Sequence, residues 1–529
     1  MLQLQGVTYT HPNRDHLFSD INLVINKQDK IALIGNNGTG KSTLLKIIAG
    51  ILPPSGGLRK AGVTPYYVPQ LFGQFNNHTV AQALQVADKL HALHAILAGE
   101  VTAAHLALLD DDWAIEERCQ EAFACWQLEG LDLQQKMGTL SGGQKTRVFL
   151  AGILIHRPAL VLLDEPSNHL DTHSRHRLYE YIRFTTHTLV VVSHDRTLLN
   201  LLHTVYELSS QGIAVYGGNY DFYAARKMLE SEALQQDVKS REKALRKARE
   251  TEREALERQQ KLDARGKKKQ EKAGLPTISM NTFRNNAEKS TARMKGVHTE
   301  KVDHISQELQ QLRQALPAAD KMKMELDHSS LHRGKVLVAA TGVNFGYGGR
   351  PLWQQGLHFQ IRSGERIAIQ GPNGAGKTTL IKMILGDLQP QQGTITRAGA
   401  KAIYIDQDYS WIDNARSVYE QAQLANSGAL QEHEVKIRLN RFLFTAAHWD
   451  KPCAALSGGE KMRLMLCILT IRHQAPDMII LDEPTNNLDM QNIEILTAAV
   501  NAYAGTLLVV THDAYFLQQV QATRTITLE

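Results

Sequence analysis

IALIGNNGTGKS, residues 31–42, joins a short apolar run to a glycine-rich loop that ends in a lysine and a serine. The loop fits the pattern GxxxxGK[ST], and an apolar-periodic stretch follows it, so the segment predicts a strand, a phosphate-binding loop and a helix. Glycines let backbone N–H groups close around phosphate oxygens, and the helix N-terminus adds its dipole. We expect Lys41 to reach the β- and γ-phosphates of a nucleotide and Ser42 to bind Mg²⁺.

The same stretch returns later in the chain, and three other motifs return with it. The phosphate-binding loop recurs at an offset of 336 residues, whereas the later motifs recur at offsets of 316 to 318. Four blocks in one order make chance matches very improbable, and the smaller offset places about 20 extra residues in the first copy. The matched pairs are 31–50 with 367–386, 139–150 with 455–466, 160–171 with 478–489, and 189–195 with 507–513.

The two copies flank a region of different composition. Residues 231–335 hold 24 Lys and Arg against 16 Asp and Glu, whereas the whole chain has a formal net charge of only +5. All of the positive excess therefore lies in this connector. The pattern predicts three domains, at 1–223, 224–335 and 336–529, of which the first and third are tandem α/β P-loop domains.

The connector is predicted to be helical. Its apolar residues follow a heptad-like spacing in two stretches, which is typical of helices packed along a seam. Gly266, Gly274 and Pro276 interrupt the pattern, so we expect a long antiparallel α-helical hairpin. The alternative is a plain spacer whose charge is only a solvated face. The seam positions are Leu234, Val238, Leu245, Ala248, Ala255, Leu262, Val302, Ile305, Leu309, Leu312 and Leu316.

Carboxylates end one apolar run in each copy. Asp164 and Asp482 would lie at the carboxyl edge of a parallel sheet, so each is a candidate Mg²⁺ ligand. Glu165 and Glu483 follow directly, and a second carboxylate there can orient or deprotonate an attacking water. An acidic pair that only caps a strand is the alternative, and the repeat of Asp-Glu-Pro in both copies argues against it.

A histidine follows a further strand candidate in each copy. His194 and His512 lie 30 residues beyond Asp164 and Asp482. A lone histidine at such a place is more often structural. The repeated spacing favours a contact with the γ-phosphate instead, and we predict a catalytic role for both.

The ordered set of motifs resembles the ATP-binding cassette superfamily. LSGGQ (140–144) and LSGGE (456–460) are similar to its signature sequence, which few other P-loop proteins have. Gln70 and Gln407 lie where the superfamily places its Q-loop glutamine, and the resemblance makes them Mg²⁺ ligands beside the Ser42 and Thr378 positions of the two loops.

The resemblance also implies an adenine-stacking aromatic residue and two ATP molecules sandwiched between the cassettes. Tyr347 matches the aromatic residue, whereas the first copy has His11 at that position. We expect both sites to hydrolyse ATP. The first site would comprise Gly35, Asn36, Asn37, Gly38, Thr39, Gly40, Lys41, Ser42, Thr43, Gln70, Asp164, Glu165 and His194, with Ser457, Gly458, Gly459 and Glu460 from the other cassette. The second would comprise Tyr347, Gly371, Pro372, Asn373, Gly374, Ala375, Gly376, Lys377, Thr378, Thr379, Gln407, Asp482, Glu483 and His512, with Ser141, Gly142, Gly143 and Gln144.

Within the superfamily the chain is most similar to ABC-F proteins, which are soluble twin-cassette ATPases that often act on ribosomes. The similar features are SNHLD and TNNLD after the Walker B glutamates, GGNYDFY (217–223) before the connector, and the charged hairpin itself. The resemblance implies a cytoplasmic monomer whose partner is the ribosome, with large-subunit rRNA and P-site tRNA near the tRNA exit and peptidyl-transferase region.

The hairpin tip then gains a role, because Lys and Arg clusters bind RNA phosphates through counterion release. Phe283 would stack on an unpaired base, or the apolar tip (275–283) would pack back on the hairpin. The predicted RNA-binding residues are Lys267, Lys268, Lys269, Lys272, Phe283, Arg284, Lys289, Arg293 and Lys295.

Three other functional classes are less consistent with the sequence. The short insert in the first copy favours the antibiotic-resistance branch of ABC-F proteins over the housekeeping translation factors. An ATPase subunit of a membrane importer has a comparable length but lacks a basic helical hairpin. Four scattered cysteines without a CxxC pair argue against zinc-bearing DNA-repair ATPases. The sequence contains no uninterrupted run of 18 apolar residues, so we expect no membrane span.

Overall fold

The protein is described by a computed structural model of the 529-residue chain. The described residues are 1–12, 16–209, 212–273, 277–315, 332–348, 350–372, 374–428, 430–472, 474–486 and 488–528. Within them, side chains are described except at 263, 266–291, 294, 298, 314 and 315. The chain forms two compact units, one containing both P-loop domains and one containing Ala224–Lys321.

The strands of the first P-loop domain, which we call cassette 1, alternate with its helices. The strands are β1 (Leu2–Thr10), β2 (His16–Ile25), β3 (Lys30–Ile34), β4 (Gly56–Ala61), β5 (Tyr66–Val68), β6 (Leu160–Asp164), β7 (Thr188–Val192), β8 (Thr204–Ser209) and β9 (Gly212–Gly217). The helices are α1 (Lys41–Ala49), α2 (Val80–Ala83), α3 (Ala87–Leu97), α4 (Ala103–Leu109), α5 (Ile115–Cys125), α6 (Gly142–His156), α7 (Thr172–Phe184) and α8 (Arg196–Leu199).

Two long helices follow, α9 (Tyr220–Ala273) and α10 (Thr277–Ala315). Cassette 2 comes next. Its strands are β10 (Val336–Asn344), β11 (Gly346–Tyr347), β12 (Arg350–Pro351), β13 (Leu357–Arg362), β14 (Arg366–Gln370), β15 (Gln392–Arg397), β16 (Ala402–Ile405), β17 (Met478–Asp482), β18 (Thr506–Val510) and β19 (Arg524–Thr527). Its helices are α11 (Lys377–Leu385), α12 (Val418–Leu424), α13 (Glu432–Arg441), α14 (Ala446–Trp449), α15 (Gly458–Ile471), α16 (Met490–Ala502) and α17 (Ala514–Gln519).

Each cassette is built around a largely parallel sheet. The strand order is β5-β6-β7-β3-β8-β9 in cassette 1, where only β9 is antiparallel, and β16-β17-β18-β14-β19 in cassette 2. The central strands are buried on both faces, as their continuous Val, Ile and Leu runs predict. Because these strands are parallel neighbours, their carboxyl ends meet at one edge, and this edge carries the predicted site residues.

A three-stranded antiparallel sheet packs beside each parallel sheet. It consists of β2-β1-β4 in cassette 1 and β13-β10-β15 in cassette 2. Apolar residues from both sheets and from the helix after the P-loop share one core in each cassette, with Phe18 in the first and Trp353 in the second almost fully buried. The antiparallel layer therefore supports the P-loop from behind.

The predicted extra residues of the first copy form a helical insert. Equivalent bridges, Thr79 to Lys136 and Ser417 to Pro452, enclose the helical region in both cassettes. Between its bridge residues cassette 1 adds the contacting helices α3 and α4, which lengthen this region relative to cassette 2. The insert is thus a short helical hairpin on the surface of cassette 1.

In the second unit, α9 and α10 run antiparallel. Arg241 pairs with Glu308 at 3.2 Å, and Arg313 pairs with Glu242 at 2.6 Å. The predicted seam residues are buried or half-buried except Leu262, which is 59% exposed, so Leu262 was wrongly placed in the seam. Leu316 lies outside the described residues.

The helical connector is longer than its glycines suggested. Gly266 was predicted to interrupt the helix, but α9 continues through it to Ala273, which makes α9 about 80 Å long. One glycine costs only about 1 kcal/mol in a helix interior, and neighbouring residues of high helix propensity offset this. Gly274 and Pro276 lie outside the described residues.

The predicted fold class is confirmed: two α/β P-loop domains are joined by a long helical linker. Within the described part of the chain, every helix is too short or too polar to cross a membrane.

Candidate nucleotide sites

The P-loop of cassette 1 holds its lysine against its own backbone. Lys41 Nζ donates to the carbonyl oxygens of Gly35 at 2.7 Å and Asn36 at 3.1 Å. Burial lowers the pKa of Lys41, and the carboxylates Glu165, Asp489 and Asp164 oppose that shift. The ammonium group therefore already lies at the P-loop, where a bound phosphate would replace the carbonyl oxygens as its hydrogen-bond acceptor.

Glycine is required in this loop for space as well as for conformation. Gly40 has φ +94°, and a Cβ there would lie 2.6 Å from the side chain of Leu17. Gly376 in cassette 2 has φ +84°, and its Cβ would lie 2.9 Å from Leu352. Leu17 of the antiparallel layer and Leu352, which precedes β13, thus pack directly under the two P-loops, and a side chain at either glycine would push the loop away from its ligand.

The carboxylate at the end of β6 meets the P-loop serine. Ser42 Oγ donates to Asp164 Oδ1 at 3.1 Å, and the Tyr67 hydroxyl donates to Asp164 Oδ2 at 3.0 Å. Asp164 is only 1% exposed, and burial raises its pKa against the opposing effect of these hydrogen bonds. A bound cation would compensate the charge of this buried carboxylate.

Glu165 and His194 face each other in cassette 1. His194 Nε2 lies 3.3 Å from Glu165 Oε1, and the His194 backbone N–H donates to Glu165 Oε2 at 3.3 Å. Burial and the adjacent Asp164 raise the pKa of Glu165 to about 8, while burial and Lys41 lower the pKa of His194 to about 3. The histidine is therefore neutral.

These residues line one cavity of about 400 Å³. Ser457, from the signature sequence of cassette 2, lines the same cavity as the P-loop of cassette 1. Residues of both cassettes thus line this cavity, which is consistent with the composite site that the family resemblance implies. The lining residues are His11, Leu17, Asn37, Gly38, Gly40, Lys41, Ser42, Thr43, Gln70, Asp164, Glu165, Asn168, Val192, His194 and Ser457.

A hydrogen bond between the cassettes closes this site. The backbone N–H of Asn37, in the first P-loop, donates to Asp489 Oδ2 of cassette 2 at 2.9 Å. Asp489 is also the N-cap of α16, because its Oδ1 accepts from Asn492 N at 2.9 Å. One carboxylate therefore ties the N-terminus of a helix in cassette 2 to the loop of cassette 1.

The second site repeats the geometry in cassette 2. Lys377 Nζ donates to Gly371 O at 2.7 Å and to Pro372 O at 3.1 Å. The Tyr404 hydroxyl donates to Asp482 Oδ2 at 2.8 Å, and Thr378 also bonds this carboxylate. The lysine, hydroxyl and carboxylate of the first site therefore have direct counterparts.

Glu483 and His512 form the second acid and histidine pair. His512 Nε2 lies 3.5 Å from Glu483 Oε1 and 3.4 Å from Lys377 Nζ. Burial raises the pKa of Glu483 to about 7, and Arg175 of cassette 1 opposes this rise. Burial, Lys377 and Arg175 together lower the pKa of His512 to about 4, so this histidine is neutral too.

The signature serines begin helices. Ser141 and Ser457 are the N-caps of α6 and α15, and each forms a capping box with the residue three positions later. The side chains of Gln144 and Glu460, predicted to bind ATP, accept the N-cap backbone N–H and are engaged in this capping. The remaining free N–H groups of each helix N-terminus suit a phosphate.

The donor set at each site fits magnesium. A hydroxyl, a carboxylate and an amide oxygen, from Ser42, Asp164 and Gln70, line one cavity in cassette 1. Mg²⁺ prefers oxygen ligands and is usually held by one or two carboxylates together with substrate phosphates. Gln407 follows β16 as Gln70 follows β5, so the matching trio in cassette 2 is Thr378, Asp482 and Gln407.

The two sites differ at the predicted adenine platform. Tyr347 is 63% exposed, and its hydroxyl lies 3.2 Å from Thr379 Oγ1 at the start of α11. His11, at the matching position, lines the cavity of the first site. An open ring beside the P-loop suits base stacking, and the tyrosine offers the larger surface.

Only some of the remaining predicted site residues have described side chains. Thr39 bonds Asn36 O within the first loop, and Gly374 and Ala375 lie in the second. Asn373 lies outside the described residues. Of the predicted RNA-binding residues, Arg293 and Lys295 are exposed on α10. The side chains of Lys267, Lys268, Lys269, Lys272, Phe283, Arg284 and Lys289 are outside the described set.

Besides Asp489, sequence reasoning missed several other polar site residues. Tyr67 and Tyr404 bond the aspartates, and the parallel stretches YYVPQ (66–70) and IYIDQ (403–407) carried a usable signal. Thr172 and Arg175 of cassette 1 reach the second site. No repeat could reveal these two, because cassette 2 has different residues at both positions.

The chain is similar to known proteins with ATP-binding cassettes. The family model described as ABC transporter matches residues 18–168 and 354–486. The chain is 32% identical to the putative ATP-binding protein YdiF of Bacillus subtilis (strain 168), over 97% of this chain and 78% of that protein. It is 28% identical to ABC transporter F family member 5 of Arabidopsis thaliana, over 95% and 72% of the two chains.

A further relative and a solved structure complete the comparison. The chain is 30% identical to the tylosin resistance ATP-binding protein TlrC of Streptomyces fradiae, over 97% of this chain and 94% of that protein. A crystal structure of archaeal ribosome recycling factor aABCE1 with the ribosomal stalk protein aP1 superposes with a TM-score of 0.61 at 21% identity, covering 99% of this chain and 87% of that one. At that identity the likeness concerns the fold alone.

Proposed function

The chain belongs to the ABC-F family of twin-cassette ATPases, and from that premise we propose that it is a cytoplasmic, ribosome-associated ATPase. ATP and Mg²⁺ bind between the cassettes, and the hairpin inserts near the tRNA exit and peptidyl-transferase region. The observation that carries this proposal is the charge of the connector: residues 231–335, which include most of the hairpin, hold 24 basic and 16 acidic residues. Ribosomal RNA is a dense polyanion that such a hairpin would bind.

The proposed chemistry uses residues of both cassettes at each site. Mg²⁺ would supply charge neutralisation at the β- and γ-phosphates. Lys41 and Lys377 bind these phosphates, and the raised pKa values of Glu165 and Glu483 suit carboxylates that orient an attacking water. The neutral histidines His194 and His512 donate to the γ-phosphate, and the signature serine of the opposite cassette completes the enclosure.

The test is binding to ribosomes in a hydrolysis-deficient state. Glu165→Gln with Glu483→Gln keeps the cavity but removes the carboxylates, so the cassettes should stay closed on ATP. We expect this variant to pellet with ribosomes through a sucrose cushion when ATP is present, and the wild type to pellet less. Recovery in a membrane pellet would favour an importer subunit instead. A variant that binds ATP but stays in the supernatant would contradict the proposal.

The charge of the hairpin can be tested separately. Neutralising Lys267, Lys268, Lys269 and Lys272 should weaken ribosome binding and flatten its salt dependence, because fewer counterions are released. The matched control is neutralisation of four exposed lysines elsewhere on α9, namely Lys239, Lys243, Lys247 and Lys261. Equal losses in both variants would favour diffuse attraction, and no loss in either would favour a plain spacer.

We also propose that the activity serves antibiotic resistance, with a housekeeping translation factor as the alternative. Two observations favour resistance: the insert α3–α4 is short, and a similar chain is named for tylosin resistance. Expression in a sensitive host should raise minimum inhibitory concentrations of drugs that bind the peptidyl-transferase centre or exit tunnel. Phe283→Ala, or deletion of 277–282, should change that spectrum while ATPase activity remains. Protection against none of these drugs would favour the translation factor.

A further inference from the structure

Each nucleotide site receives a loop from the opposite cassette, and the two loops are not equivalent. In cassette 1 the loop after Asp171 contains Thr172 and Arg175, whereas cassette 2 has Met490 and Ile493 at the matching positions after Asp489. The aspartates and the helices that they cap are alike in both cassettes. The two loops differ at each of the four positions after the aspartate, and of these Thr172 and Arg175 line a cavity together with the catalytic histidine His512 of cassette 2.

The first difference concerns the catalytic histidine. Thr172 Oγ1 lies 2.9 Å from His512 Nδ1, a contact between the cassettes. Met490 offers no hydroxyl to the other histidine, and His194 Nδ1 is buried without a hydrogen-bond partner among the described residues. A partner on one ring nitrogen fixes the tautomer and the orientation of an imidazole. His512 has this support, and His194 does not.

The second difference is a buried cation. Arg175 is 8% exposed, and its Nε donates to Leu170 O at 3.1 Å. It lines one cavity with His194, Thr485 and Asn486, and a second with His512. Ile493, at the matching position, is buried and provides no charge to the first site.

We propose that Thr172 and Arg175 are positioning residues for the His512 and Glu483 pair, and that the second site hydrolyses ATP faster than the first because only it has them. The Thr172 hydroxyl donates to Nδ1, so the imidazole proton resides on Nε2, the nitrogen that faces Glu483 and Lys377. Arg175 lines the same cavity as Thr172 and His512 and places its charge beside this histidine. This inference rests on the proposed role of the glutamates and histidines in hydrolysis.

The test isolates one site at a time. In Glu165→Gln, where only the second site turns over, Thr172→Val should lower kcat about five- to tenfold, the effect of losing one orienting hydrogen bond, and leave KM within about twofold. Thr172→Ser keeps the hydroxyl and should retain the rate. Thr172 lies at the surface, so both variants should fold. Equal rates for the valine and serine variants would overturn the proposal.

A loop exchange provides the matched control. Thr172→Met with Arg175→Ile should slow the second site about tenfold or more in Glu165→Gln, yet alter the first site by less than about twofold in Glu483→Gln. The reverse exchange, Met490→Thr with Ile493→Arg, should speed the first site. Equal losses at both sites would mean that the loop only supports the fold, which overturns the inference. Full turnover in Glu165→Gln/Glu483→Gln would instead overturn the proposed role of the glutamates, and so the two failures are distinguishable.

Discussion

The two nucleotide sites share the groups that handle phosphate, but they differ in what surrounds those groups. Lys41 and Lys377 bond their own loops at the same distances, 2.7 and 3.1 Å. At the second site the histidine has a partner in the opposite cassette, whereas at the first site the matching nitrogen has none within the described chain. The sequence motifs therefore predict the reacting groups that the two sites share, whereas the residues around those groups differ between the sites.

The comparison also shows which features recur in both cassettes and which do not. The P-loop, the Walker B carboxylates and the signature helix N-termini recur with nearly the same geometry. The adenine platform, His11 against Tyr347, and the loop after the Walker B motif do not. None of these variable positions removes a predicted reacting group, so the expectation that both sites hydrolyse ATP stays a prediction.

The largest effect is expected when the catalytic glutamates of both sites are substituted together. Glu165→Gln with Glu483→Gln should lower ATP turnover by a factor of about 10² to 10⁴, because the water-orienting carboxylates are lost while the phosphate ligands remain. ATP binding, measured by equilibrium dialysis, should be retained. Unchanged turnover would show that neither glutamate acts in hydrolysis, and the comparison of the two sites would then need other catalytic residues.

The next largest effect is expected at the signature serines, and it tests whether each nucleotide site contains residues of both cassettes. In Glu483→Gln, Ser457→Arg should lower the remaining turnover by about 10²-fold, because Ser457 lines the first cavity and the long side chain displaces the phosphates. Ser141→Arg is the matched control, since it alters the signature helix of the other cassette. If Ser141→Arg stops the first site and Ser457→Arg does not, the pairing of the sites has been assigned the wrong way round.

The adenine platforms should differ in affinity. Tyr347→Ala should weaken ATP binding at the second site about tenfold, because the loss of base stacking costs roughly that much. His11→Tyr should strengthen binding at the first site, whereas His11→Ala should weaken it by less than the tyrosine change does. Fluorescent ATP titrations on variants in which the other site is blocked measure both. Equal losses for Tyr347→Ala and His11→Ala would remove this distinction.

The smallest expected effect concerns stability at the signature helices. A Cβ on Gly459 would lie 2.2 Å from Nδ2 of the buried Asn492, whereas a Cβ on Gly142 would lie 3.3 Å from His169. Gly459→Ala should therefore lower the free energy of unfolding by about 1–3 kcal/mol, the usual cost of overpacking. Gly142→Ala should be close to neutral. Denaturant unfolding of both variants would reveal the asymmetry.

Much of this architecture was predictable from the sequence because the motifs are local and repeated. The strand, loop and helix around Lys41 and Lys377 follow from glycine spacing and apolar runs, and the parallel sheet gathers their partners at one edge. The continuation of α9 through Gly266 was not predictable, because helix propensity around one glycine outweighs its cost. The contact of Thr172 with His512 depends on how two cassettes face each other, which neither composition nor periodicity encodes.

The predicted boundaries at 223 and 335 and the predicted ligand set stay predictions. The placement of the site residues is consistent with them, since the cavity of the first site joins eleven of the predicted residues, from Asn37 to Ser457. Asp489 was absent from that set, yet it bonds the P-loop across the interface. Its motif, the end of TNNLD, was recognised as a family feature, but its partner became evident only from the fold.

The most direct measurement is the turnover of each site alone. Glu165→Gln leaves the second site active, and Glu483→Gln leaves the first, so steady-state phosphate release from the two variants at saturating ATP compares the sites within one protein. The structure predicts that Glu165→Gln is faster than Glu483→Gln, by about five- to tenfold, because only the second site has a supported histidine. Equal rates, or a faster Glu483→Gln, would contradict the account.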